Sequence, residues 1–160
     1  MSLNVEVGFY RYDHSMYDIF NKQSTKIEKV WVSMIRHITK CCYTHCTIKI
    51  GENSLVALVK KNATFASSDT VDKFLGSPDL YICLGELDVD ITGIDKIISG
   101  LYQGSVRKVL TWFFVTRWFG AKKPKTCATL VCEILRCCGY EIKQCVSPAE
   151  LYKELIECNS

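Results

Sequence analysis

The sequence predicts an α+β fold in which a small, mostly antiparallel sheet comes first and the helices packed against it come second. Three observations carry this. Short runs rich in β-branched and aromatic residues, separated by turn chemistry, fill the first part of the chain up to about Asp90. Apolar residues at three- and four-residue spacing, bounded by caps, fill the rest. The length of 160 residues with 48% hydrophobic composition is the size of one compact core. A single domain over 1–160 follows, and no internal repeat, low-complexity segment or linker interrupts it.

Val5 to Tyr12 alternates and is rich in β-formers, so it reads as a first strand ending near Asp13. Ser24 then caps a helix over Thr25 to Thr39, whose Ile27, Val30, Trp31, Met34, Ile35 and Ile38 form one apolar stripe. Tyr43 to Ile50, the turn Gly51-Glu-Asn-Ser and Leu55 to Val59 make a hairpin. Further strands are expected near Ala63 to Ala66 and over Leu80 to Leu87, the latter introduced by Gly76-Ser-Pro-Asp. Helices follow over Ile91 to Tyr102, with Thr92 as cap, and over Val106 to Trp118. A Gly120 break and the Lys122-Lys-Pro-Lys loop lead to Thr126, which caps a helix from Cys127 to about Cys138 that Gly139 ends. In the last helix Ser147 is the cap, Pro148 the first helical residue and Glu150 the third, a capping box.

Ten cysteines in a chain of this size raise the question of a disulfide framework. The N-terminus has no basic region followed by an apolar run, so a cytoplasmic location is expected, where most thiols behave as small buried hydrophobes. The longest apolar cluster, Val109 to Phe119, is broken by Thr111, Thr116 and Arg117 and falls short of a bilayer core of ~30 Å, so no membrane span is expected. A net charge of +3, densest at Lys122, Lys123 and Lys125, does not make a nucleic-acid stripe. Trp112, Phe113, Phe114, Trp118 and Phe119 read as core or as the wall of an acyl-binding cleft. Glu86, Asp88 and Asp90 alternate along a solvated strand face.

Only a cysteine near cationic groups or a helix N-terminus gains reactivity, and Cys127 holds that position. There, unpaired N–H groups and the positive end of the helix dipole favour thiolate and can receive an oxyanion. A thiol nucleophile needs a base within hydrogen-bond reach. Of the three histidines, His14 lies in a turn and His37 on the polar side of the first helix, whereas His45 opens the strand Thr44-His-Cys-Thr-Ile-Lys-Ile. A competing constellation is zinc: Cys41, Cys42, His45 and Cys46 lie within six residues, and Cys137-Cys138 can complete a site. The spacing fits poorly, because Cys46 should face the opposite side of the strand from His45. No cofactor or metal is expected.

Taken together, Thr44-His-Cys-Thr-Ile-Lys-Ile-Gly, Thr126-Cys-Ala-Thr-Leu-Val-Cys-Glu-Ile-Leu-Arg and Ser147-Pro-Ala-Glu-Leu-Tyr resemble the circularly permuted branch of the NlpC-type papain-like thiol hydrolases. That branch includes bacterial and viral enzymes and relatives of lecithin:retinol acyltransferase, and in it the His strand precedes the nucleophile helix. The resemblance covers Thr44 to Leu155. It implies a permuted papain-like fold, with Cys127 as nucleophile, His45 as base and a thioester intermediate resolved by water or another acceptor. One departure stands out. The family often places a polar residue on the next strand to orient the imidazole, and the matching stretch here is Leu55-Val-Ala-Leu-Val, with Ala57 near that position. Thr47, on the same strand face as His45, or Thr64 can substitute, as can a backbone carbonyl. Tyr10 and Tyr12 are candidates for lining the cleft.

Two functions follow. One is a cysteine hydrolase or acyltransferase acting on a peptide, amide, ester or other acyl substrate, itself a protein in one version. The other is a non-catalytic papain-like module of a viral or phage accessory kind that binds a partner through the cleft.

Overall fold

The computed structural model describes residues 1–11, 33, 36–37, 39–56, 64–99 and 126–158. Five strands form one sheet: β1 (Ser2–Tyr10), β2 (His45–Ile50), β3 (Asn53–Val56), β4 (Thr64–Ser67) and β5 (Leu80–Asp88). Four helices accompany them: α1 (Ser68–Leu75), α2 (Ile91–Ser99), α3 (Cys127–Cys137) and α4 (Pro148–Cys158). The sheet order is β4-β3-β2-β1-β5 and every neighbouring pair is antiparallel, so the expected α+β class holds.

β1 sits between β2 and β5, and its side chains are buried on both faces toward its C-terminal end. Val5, Val7 and Phe9 face the core opposite Ile50, Ile48 and Cys46 of β2. On the other face Glu6 lies opposite Lys49, and their side chains pair at 3.5 Å. Across the core face lie Leu130, Val131, Ile134 and Leu135 of α3, then Leu151 and Leu155 of α4 and Ile94 of α2. Each such side chain, once buried, contributes about 1.5–3 kcal/mol. Phe9, Tyr43 and Tyr152 form a three-ring cluster with centroids 5.1 to 5.6 Å apart, joining β1, the approach to β2 and α4.

Several elements differ in detail from their sequence-based expectation. The β2–β3 hairpin has a loop of two residues, Gly51 and Glu52, because Ile50 pairs directly with Asn53. Gly51 supplies the positive φ, +59°, that a two-residue hairpin demands at its first central position. β3 therefore takes in Asn53 and Ser54, polar residues that propensity assigns to the turn, and it is described only as far as Val56. α1 has no counterpart in the expectation. It is short, and its start is set by Ser68, whose N–H and hydroxyl both bond the Glu52 carbonyl across the sheet edge. Its end is Gly76 at φ +71°.

The N-terminus of α2 is held by Asp90 rather than Thr92: the Asp90 carboxylate accepts from Gly93 N–H at 3.0 Å, and its carbonyl from Ile94. In α4 the Ser147 hydroxyl accepts from Glu150 N–H as expected, while the Glu150 carboxylate reaches one residue further, to Val146 N–H at 2.8 Å. The helix expected over 25–39 falls mostly outside the described residues, of which Ser33, Arg36, His37 and Thr39 are helical. The helix expected over 106–118, the Lys122 loop, Ala57, Tyr12 and His14 also lie outside them. Among the described residues no helix is long and apolar enough to cross a membrane.

Candidate active site

α3 begins where a local hydrogen-bond pattern dictates. Thr126 is extended (φ −127°, ψ 176°) and its hydroxyl accepts from Thr129 N–H at 3.1 Å, while the Thr129 hydroxyl accepts from Thr126 N–H. This is a capping box with threonine in the place usually taken by Glu or Gln. The Thr126 hydroxyl also donates to the Val146 carbonyl at 2.9 Å, which ties the start of α3 to the approach to α4. At the other end Gly139 N–H bonds the Arg136 carbonyl and Tyr140 N–H the Leu135 carbonyl, a Schellman ending with Gly139 at φ +74°. Arg136 and Gln144 pin the returning chain: the guanidinium donates twice to the Ile142 carbonyl, and the Gln144 amide to the Thr129 carbonyl. With both ends defined, Cys127 occupies the first helical position. Replacing Thr126 by alanine removes the cap and orphans the Val146 carbonyl; it is expected to cost about 1–2 kcal/mol, read as a lowered urea midpoint.

The strand side of the site follows from register. Tyr10 pairs with His45 and Phe9 with Cys46, so successive residues of β2 point to opposite faces. His45 and Thr47 lie on one face of β2 with Tyr10 of β1 between them: the Tyr10 and His45 ring centroids are 5.9 Å apart, and the Tyr10 and Thr47 hydroxyls are 3.4 Å apart. All three are buried. Burial pushes the Tyr10 phenol up, against the hydrogen bond to Thr47 that lowers it, so it stays a neutral hydroxyl. Gly8 keeps this layer closed, because a Cβ there would lie 2.9 Å from both Pro78 Cγ and the Thr47 hydroxyl. Cys46 lies on the opposite face, in the core beneath α3.

Cys127 and the first two residues of β2 meet at this corner. The Cys127 thiol lies within reach of the Cys46 side chain and backbone and of the His45 imidazole. The Cys46 thiol is the largest influence holding the Cys127 thiol well below its ordinary value of 9.0; burial opposes it, and His45 reinforces it. Cys46 moves the other way, pushed up chiefly by its own burial and then by Cys127. The physical reason for this division is position. Cys127 is half-buried at a helix N-terminus beside an imidazole, whereas Cys46 is 1% exposed among Phe9, Ile48 and other core side chains.

Cys127 and His45, paired in the sequence as nucleophile and base, lie at this one corner, and Cys46, which the sequence offers only as part of a rival zinc set, lies there with them; its signal was its place in the run Cys46, Ile48, Ile50 on the core face of β2. Thr64 opens β4 opposite Val56, with β3 between it and β2. Among the described residues no three His, Cys, Asp or Glu side chains gather to hold a metal ion.

The pH dependence has a defined sign. Between the lowered folded value of Cys127 and 9.0 the unfolded chain holds a proton that the folded chain has released, so stability rises with pH there and is lost as pH falls through the folded value. Above 9.0 Cys46 reverses the trend, since the folded chain then keeps a proton that the unfolded chain loses. Urea midpoints measured across this range should pass through a maximum on the alkaline side of neutrality, and Cys127→Ala should flatten the rising limb.

Searches of protein-family models, curated proteins and solved structures found no match to this chain.

Proposed function

We propose that this chain is a cysteine-dependent hydrolase or acyltransferase built on a circularly permuted papain-like domain. The observation that carries the reading is the Cys127 thiol at the capped N-terminus of α3, held well below its ordinary value beside Cys46 and the His45 imidazole. The order of elements, His strand before nucleophile helix, fits the permuted arrangement.

In the proposed cycle the Cys127 thiol gives its proton to His45 and the sulfur attacks the carbonyl carbon of an amide, peptide or ester. A C–S bond forms and the carbonyl electron pair moves onto oxygen. The N–H groups of Cys127 and Ala128 have no intrahelical acceptor, and together with the helix dipole they face the developing oxyanion. Collapse breaks the C–N or C–O bond, and the leaving amine or alcohol takes the proton from His45. Water or another acceptor then loses a proton to His45, attacks the thioester and releases Cys127. Cys46 is a positioning residue: its thiol stays protonated and donates to the nucleophile.

The test is adduct mapping with acyl-donor probes, an activated ester and an acyl thioester. One acyl group per chain, located on Cys127 by peptide mass and lost by hydrolysis or on adding an amine, is the expected result. Labelling spread over the exposed thiols Cys42 and Cys83, with Cys127 no faster than they are, would sink the proposal and leave a partner-binding module without chemistry.

A further inference from the structure

A thiol that touches a reactive thiol can do more than donate a hydrogen bond. Cys46 is walled off from solvent at 1% exposure, within a core that includes Phe9, Ile48 and Ala128. Alone it would be inert, since no oxidant or alkylating agent reaches it. Its place beside Cys127 changes that: Cys127 packs against the same core cluster that holds Cys46 and Ala128, and it is part-exposed where Cys46 is buried. The two come from different elements, the second residue of β2 and the first of α3, and both elements are fixed: β2 by its register with β1, α3 by the Thr126 cap and its bond to Val146. The pair is therefore held together by the fold rather than by the local chain.

We propose that Cys46 is a resolving thiol for Cys127, so that a hydroperoxide converts the candidate nucleophile into an internal Cys46–Cys127 disulfide. The proposal rests on reading Cys127 as the reactive thiol, and it does not require the acyl-transfer step. In the first step the Cys127 thiolate attacks the distal oxygen of hydrogen peroxide: an S–O bond forms, the O–O bond breaks, and hydroxide leaves to become water. The sulfur is oxidised to a sulfenic acid and the peroxide reduced. In the second step the Cys46 sulfur attacks the Cys127 sulfur, an S–S bond forms, the S–O bond breaks, and the departing hydroxide takes the Cys46 proton as a second water. A dithiol reverses the linkage by exchange. The disulfide caps the oxidation ladder at a reversible rung, where an isolated Cys127 would continue to sulfinic and sulfonic acids.

A second pair of buried thiols in contact, Cys132 and Cys145, serves as an internal control. Both are enclosed in the core, and Cys145 also donates to the Lys143 carbonyl at 3.4 Å, so neither presents a sulfur to a solvent oxidant.

The experiment treats the folded chain with hydrogen peroxide, blocks remaining thiols, and maps cysteine-containing peptides without reduction. The expected product is a Cys46–Cys127 cross-linked peptide with a mass loss of two hydrogens, Cys132 and Cys145 remaining free, and full return of Cys127 alkylation after dithiothreitol. In Cys46→Ser, which keeps an O–H donor and so preserves the packing, Cys127 is expected to carry sulfinic or sulfonic acid that dithiothreitol does not remove. Cys46→Ala should behave alike. Wild-type protein that accumulates irreversible Cys127 oxidation at the rate of Cys46→Ser overturns the proposal, as does a cross-link that pairs Cys127 with any other thiol. Failure of the acyl probes with a normal Cys46–Cys127 cross-link removes the proposed function and leaves this inference standing; the converse result does the reverse.

Discussion

Cys127→Ala is expected to abolish the acyl adduct and to reduce turnover of any ester or amide substrate by about 10⁴-fold or more, the loss typical when a covalent nucleophile is deleted from a machinery that acts as a unit. The residual rate comes from the helix N–H groups and from binding, which the substitution leaves in place. Cys127→Ser is expected to be nearly as inactive, because the surrounding groups lower a thiol that starts at 9.0 and cannot bring a hydroxyl into range. Stability should change little beside this, since Cys127 is half-buried at the start of a helix whose hold on the sheet comes from Leu130, Ile134 and Leu135. His45→Ala has a different signature: the pH at which Cys127 alkylation reaches half its limiting rate should move up toward the ordinary thiol value, with a smaller loss of limiting rate. Single-turnover acylation and iodoacetamide kinetics across pH separate these effects. A Cys127→Ala protein that retains wild-type turnover would place the chemistry elsewhere.

Phe9→Ala is expected to cost about 3–5 kcal/mol of folding stability, measured by urea or thermal unfolding. The ring is fully buried and touches Tyr43 at 5.4 Å and Tyr152 at 5.6 Å in tilted and edge-on arrangements, so its removal leaves a cavity and breaks two aromatic contacts. Phe9 also stands opposite Cys46 in the β1–β2 register. The substitution should therefore loosen the floor under the candidate site: in variant protein still folded by circular dichroism, the Cys127 alkylation midpoint is expected to rise as its contact with Cys46 weakens. Phe9→Leu, which refills most of the volume, should recover the larger part of both effects.

Features whose causes are local were legible in the sequence. Thr126, Ser147 and Gly139 mark helix ends because capping involves residues three or four apart, and all three act as that chemistry requires. The alternation from Val5 onward marked β1 as a strand, and the structure buries its Val5, Val7 and Phe9 against Ile48 and Ile50 of β2. Where local signals compete, reading failed: Asp90 and Thr92 are both acceptable caps, and the choice between them depends on where β5 releases the chain. The same holds for α1, a helix of eight residues whose start depends on a bond to Glu52 from a neighbouring hairpin.

By itself, then, the sequence determined that a thiol opens a capped helix and that a histidine opens a strand, because each statement concerns a handful of adjacent residues. Only the tertiary structure decided that the corner between them is filled by Cys46 and that the other described thiols do not fill it. The reason is that a contact between β2 and α3 is set by strand register and by the seating of one helix on a sheet. Both are products of long-range packing, to which the spacing of residues along the chain contributes nothing.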